Sequence, residues 1–305
     1  MSDPRPGEVV IPHTAPAAWP GAVASTRFAA GVRTAWSPEC RVGLIGLPDD
    51  LGVRLNGGRP GARGGPSAFR AALSSYGVID PEGVEWPVVF DAGDVEPAPG
   101  EDEAALRETH RRVSGASAAL ARAGLFPVAV GGGHDLTYAF VRGAVEGLRG
   151  RGAAAGGLEC VYFDAHLDVR ETVGSGMPFR RLAEELDARL TPIGINPMSN
   201  SRSHAVYARG RGVRAGEDRS RLMAAVSLDL DVLDAAYAPG VSAMNASGMT
   251  PREVEAGLTA LSREGRVICF DVMELNPAFD AGERTARLAA HLFLSFLAAR
   301  FGGPR

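Results

Sequence analysis

Residues 160–168 read Cys160-Val161-Tyr162-Phe163-Asp164-Ala165-His166-Leu167-Asp168. Four apolar or aromatic residues run into two carboxylates and an imidazole at alternate positions. A short apolar run of this kind suits a strand buried on both faces. In extended backbone, residues i, i+2 and i+4 point to one side, so Asp164, His166 and Asp168 are expected to converge, with Ala165 and Leu167 turned away. Such a group repels itself or stays unsatisfied unless a cation sits among it.

The same arrangement recurs along the chain. Val128-Ala-Val-Gly-Gly-Gly-His134-Asp135 is an apolar run, three glycines that allow a tight turn, then His134 and Asp135 opening a helix. Ala224-Ala-Val-Ser-Leu-Asp229-Leu-Asp231 delivers two more carboxylates at i, i+2, and Asp234 is expected in the outgoing turn. Val267-Ile-Cys-Phe-Asp271-Val-Met-Glu274 ends in acids that could face the same pocket.

Around these motifs, strands are expected at 42–47, 87–90, 127–130, 160–163, 192–195, 224–228 and 267–270, and helices at 103–123, 136–148, 179–190, 251–262 and 282–299. Thr250, Pro251 and Glu253 mark one helix start as N-cap, N1 and N3. Gly57–Gly65 and Arg209–Arg221 read as loops. Alternating strands and helices predict an α/β fold with a mainly parallel sheet covered on both faces. Ligands of such sheets bind beyond the carboxyl ends of the strands, where all four motifs lie.

The chain has 305 residues, 45% hydrophobic and 22% charged, with a formal net charge of -4. Nothing in that balance suggests nucleic-acid binding. No apolar run reaches the ~18 residues of a membrane span, and no signal core opens the chain, so a cytoplasmic protein is expected. Residues 1–36, rich in Pro and Ala, read as an extension with little structure of its own, and 37–305 as a single domain. Cys40, Cys160 and Cys269 lack metal-ligand spacing and are expected to be buried, inert thiols. All 32 basic residues are arginine. Schiff-base lysine chemistry and a Walker-type phosphate loop are therefore excluded.

His134, Asp164, His166, Asp168, Asp229 and Asp231 together form an oxygen-rich set with two imidazoles and no thiolate. Two divalent ions would balance its four carboxylates, and a hard ion such as Mn²⁺ suits it better than structural zinc. Two ions about 3.5–4 Å apart can lower the pKa of a shared water towards neutrality.

GGGHD at 131–135, DAHLD at 164–168, SLDLD at 227–231 and MELNP at 273–277 resemble, in the same order, the motifs of the ureohydrolase family of arginases and agmatinases. The resemblance implies a three-layer α/β/α sandwich and a site for two Mn²⁺ ions. His134 and Asp168 would bind the first ion, His166 and Asp231 the second, and Asp164 and Asp229 both. Several stretches look most like the formimidoylglutamase branch: the third glycine of GGGHD, Val169-Arg170 after Asp168, Gly174–Phe179, Ile193–Asn200 and Arg54–Ala62. Asp135, where Glu is common, and Ala243–Met249 depart from that branch. The histidine that arginases carry just beyond DAHxD is missing between 172 and 182.

That branch implies hydrolysis of a small amino-acid substrate, N-formimidoyl-L-glutamate, to L-glutamate and formamide. Asp168 would move the proton and Glu274 would pair with the cationic amidinium. Arg54 and Arg170, with Asn56 and Asn200, are the candidates for binding the substrate carboxylates. His110 and His204 are expected on helix surfaces. Relatives form trimers or hexamers, which implies a homo-oligomer. The alternatives are a guanidino-acid or agmatine hydrolase releasing urea, a binuclear phosphoesterase, and a non-catalytic metal-binding relative.

Overall fold

A computed structural model describes residues 9–77, 85–152 and 156–302. The first eight residues of the extension lie outside the described residues. Among the described residues, eight strands form one sheet: β1 (Thr14–Ala15), β2 (Cys40–Leu47), β3 (Val88–Val95), β4 (Phe126–Gly131), β5 (Leu158–Phe163), β6 (Arg189–Ile193), β7 (Met223–Asp229) and β8 (Val267–Met273). Their order is β1-β3-β2-β4-β8-β7-β5-β6, and every pairing except β1 with β3 is parallel.

Among the described residues, eight α-helices accompany the sheet: α1 (Leu51–Leu55), α2 (Gly65–Leu73), α3 (Glu103–Arg122), α4 (Leu136–Gly150), α5 (Pro178–Glu185), α6 (Arg202–Gly210), α7 (Pro251–Ser262) and α8 (Arg284–Phe301). One face of the sheet carries α3, α4 and α5, the other α2, α7 and α8. This is the three-layer α/β/α sandwich. Central strands such as Leu158–Phe163 are buried at every residue, as a sheet covered on both sides requires. Phe270, Phe293 and Phe296 are fully buried on the face covered by α2, α7 and α8, each stabilising the fold by roughly 1.5–3 kcal/mol.

The seven strands expected from the sequence are all present, with shifted ends. The two-residue β1 was not expected. It is an antiparallel edge strand, and the segment after it is anchored by Trp19 Nε1–H donating to Asp91 at 2.8 Å. The expected helix 179–190 ends at Glu185, because Arg189 already begins β6. The short α1, α2 and α6 were also not foreseen. α2 starts inside the glycine-rich stretch, with Pro66 in its first turn. The start of α7 forms as read: Thr250 Oγ1 accepts the Glu253 N–H, and the Glu253 carboxylate accepts the Thr250 N–H.

Candidate metal centre

The sheet order places β4, β8, β7 and β5 side by side. Four motifs far apart in sequence thus end at neighbouring strand tips. The glycines of the first motif let its loop press against the end of β2. Gly132 and Gly133 donate to Leu47 O and Asp49 O, and a Cβ on Gly132 would stand 1.8 Å from the Asp49 carbonyl oxygen. His134 follows, buried.

Two clusters result. His134 Nδ1 lies 3.2 Å from Asp164, 2.9 Å from Asp168 and 3.0 Å from Asp229. His166 Nδ1 lies 3.4 Å from Asp164 and 3.0 Å from Asp231. The ligand atoms of each cluster fall within 4.8 Å of one another, and Asp164 belongs to both. All six expected ligands are therefore brought together; Asp229 joins the first cluster only.

They do not converge by strand alternation. β5 stops at Phe163, and residues 164–168 form a loop in which the His166 N–H donates to Asp164 Oδ1 at 2.5 Å. Asp168 adopts a left-handed φ of 47°. Likewise β7 ends at Asp229, and Asp231 lies in a 3-10 turn where its N–H donates to Asp229 Oδ1 at 2.8 Å. Asp and Asn favour such side-chain-to-backbone turns.

The electrostatics are those of a site built for cations. Burial, then the neighbouring aspartates, push Asp164 up to about 6 and Asp229 well above the usual carboxylate range. Burial works against protonated His134 and His166, yet the surrounding carboxylates win and hold both high, His166 at about 12. His134 Nδ1 and Asp164 Oδ2 are buried without a hydrogen-bond partner, which fits a metal as the missing partner. The other His134 nitrogen, Nε2, is 3.0 Å from Ser227 Oγ, which donates to buried Asp271 at 2.6 Å. Ser227 spends its proton on Asp271, so it accepts from Nε2–H and leaves Nδ1 free to ligate. Asp271 thus lies beneath the pocket. Ser227 carried no signal in the sequence beyond its place in SLDLD.

Beside the clusters is a cavity of about 160 Å³, lined among others by Asn56, His166, Asp168, Arg170, Asp229, Asp231, Ser242 and Glu274. Glu274, with φ 66°, accepts the His134 N–H at 2.8 Å through Oε1, and its buried Oε2 has no hydrogen-bond partner. Burial chiefly pushes its carboxyl up to about 8. Arg170 reaches Asn56 Oδ1 at 3.1 Å, and Asn56 donates to Ser175 Oγ at 3.1 Å.

Three expectations are corrected. Arg54 does not line the cavity: its guanidinium pairs with Asp50 at 3.5 Å and Glu101 at 3.1 Å, in a separate cleft. Asn200 is a brace, with Oδ1 accepting Leu167 N–H and Nδ2 donating to Ala165 O and Asn196 O, so it holds the 164–168 loop from behind. His110 is buried, with Nε2 2.7 Å from Asp135. It lies four residues after Leu106 and three before Val113, on the inward face of α3.

The profile of the arginase family matches residues 40–299. The chain belongs to the arginase family. Among its relatives there, the formimidoylglutamase of Nocardia farcinica is 39% identical over 271 residues, covering 82% of this chain and 83% of that protein. That of Rhodococcus jostii is 36% identical, covering 82% of each. Among arginase-family structures, Trypanosoma cruzi formiminoglutamase with Mn²⁺ superposes with a TM-score of 0.74 at 29% identity, covering 87% of this chain and 96% of that one. Proclavaminate amidino hydrolase from Streptomyces clavuligerus gives 0.70 at 29% identity, covering 87% and 94%. The fold expected from the family resemblance is the observed one.

Proposed function

We propose that this chain is a binuclear manganese hydrolase that converts N-formimidoyl-L-glutamate and water to L-glutamate and formamide. The observation that carries the reading is one cavity bordered by ligands from both clusters, Glu274 and Arg170. It offers sites for cations, an acid for an amidinium and a guanidinium for a carboxylate. The curated relatives' names support the same substrate.

His134, Asp164, Asp168 and Asp229 would hold one ion, and Asp164, His166 and Asp231 the other, with Asp164 common to both. When bound, the pair supplies a water of lowered pKa. The chain's own groups do the rest. Glu274 accepts hydrogen bonds from the amidinium nitrogens and fixes the formimidoyl carbon over the clusters. Asp168, the most accessible of the four ligating aspartates at 12% side-chain exposure, accepts a proton from the attacking water and returns it to the glutamate nitrogen as the C–N bond breaks. Arg170, oriented by Asn56, binds a substrate carboxylate.

The test is a Mn²⁺-reconstituted assay against formimidoylglutamate, arginine, agmatine and guanidinobutyrate, scored for formamide, urea and ammonia. Formamide from formimidoylglutamate alone is the expected result. Urea from a guanidino acid would shift the substrate, and no turnover with metal bound would make the chain a non-catalytic relative.

A further inference from the structure

Arg59 belongs to neither cluster and does not line the cavity, yet it ties together the two segments that carry Ser242 and Glu274. Its guanidinium donates from Nη2 to Val241 O at 2.5 Å and from Nε to Ser242 O at 3.2 Å. The same group lies over the Phe279 ring, 4.1 Å from the centroid. The carbonyls of Arg59 and Pro60 both accept from Asn276 Nδ2 at 3.2 Å. Asn276 is fully buried, and its main-chain N–H donates to Gly240 O at 2.8 Å. Segments 59–61, 240–242 and 274–279 therefore form one knot. Only a planar fork on a long stem reaches two successive carbonyls while stacking on an aromatic ring.

The far end of the same loop is also fixed. Met249 N–H donates to Val232 O at 2.8 Å, and Asn196 Nδ2 donates to Asn245 Oδ1 at 3.0 Å. Between these anchors, Ser242 Oγ and Glu274 Oε2 are both buried without a hydrogen-bond partner. Both residues line the cavity. Two unpartnered oxygens lining one cavity can accept the N–H groups of an amidinium, and the place of Ser242 depends on where the main chain at 241–242 is held.

We infer that Arg59 is a positioning residue for amidinium recognition, holding Ser242 at the cavity that Glu274 also lines, without touching substrate. This rests on the proposed activity. It is tested on the Mn²⁺-loaded enzyme with Arg59→Met, which keeps the stem and loses the donors, Arg59→Lys, Ser242→Ala and the Arg59→Met/Ser242→Ala double variant. Arg59→Met is expected to lower kcat/KM for formimidoylglutamate by about 10- to 100-fold, mostly through KM, with two Mn²⁺ per chain retained and partial recovery in Arg59→Lys. The double variant is expected to be no worse than the poorer single variant, because both act through one oxygen. Hydrogen exchange without substrate should quicken at 241–245 and stay unchanged at 164–168. Multiplying effects in the double variant, an unchanged KM, or unchanged exchange at 241–245 would overturn the inference. If Arg59→Met does not fold, Arg59→Gln is read in the same way. An unmodified enzyme inactive on formimidoylglutamate would count against the substrate instead, and the exchange measurement would still decide the role of Arg59.

Discussion

Glu274 Oε1 accepts the main-chain N–H of His134 at 2.8 Å, joining residues 140 positions apart. One carboxylate thus holds the first ligand-bearing loop with one oxygen and offers the other to the cavity. Glu274→Gln keeps an acceptor for that loop and removes the carboxyl that a bound amidinium would hold ionised. It should retain both metal ions while kcat/KM falls by about 30- to 1,000-fold, the usual cost of breaking a buried charge-assisted contact. Steady-state kinetics beside metal analysis check this; loss of metal in step with activity would assign Glu274 to the metal site instead.

Arg170 and Arg54 should part company. Arg170→Ala is expected to raise KM by at least about tenfold, since a charged hydrogen bond to substrate is lost. Arg54→Ala breaks a pairing with Asp50 and exposed Glu101 and should leave KM within about twofold. Equal effects on KM would refute the separation of the two clefts.

Asn200→Ala should cost roughly 1–3 kcal/mol of stability, because Leu167 N–H and Ala165 O lose a buried partner. Thermal unfolding of the metal-loaded protein should show the loss, and metal should dissociate more readily. A KM effect with unchanged stability would restore the reading of Asn200 as a substrate contact.

Metal uptake should release protons. Without a cation the carboxylates hold His166 at about 12, above its ordinary value, so the imidazole is protonated at pH 8 and must lose that proton to ligate. Affinity should therefore rise with pH. Calorimetry in buffers of different ionisation enthalpy should report roughly one to two protons released per chain on loading. Binding without proton release would contradict the charge balance of the clusters.

The clustered residues were legible because ionisable residues at the ends of apolar runs are costly without a partner, and Asp164, His166, Asp229 and Asp231 all stand there. The reason they converge was not legible. Alternation along a strand and two side-chain-capped turns can start from the same residue spacing, and only the backbone path after Phe163 and Asp229 separates them. Arg54 and Arg170 look alike in sequence, because a long flexible stem does not record its direction; Asp50 and Glu101 take one of them. His110 is readable from its helical spacing, on one face with Leu106 and Val113, where the polar ring alone suggests a surface. The two-residue β1 and the short α1 offer too few residues for any periodicity.

Six side chains at neighbouring strand tips are expected to hold two cations. Anomalous diffraction at the manganese edge from a crystal of the Mn²⁺-loaded protein tests this most directly. Two peaks are expected, one beside His134 and Asp168, the other beside His166 and Asp231, with Asp164 between them. No peak there, or a single peak bypassing one histidine, would contradict it.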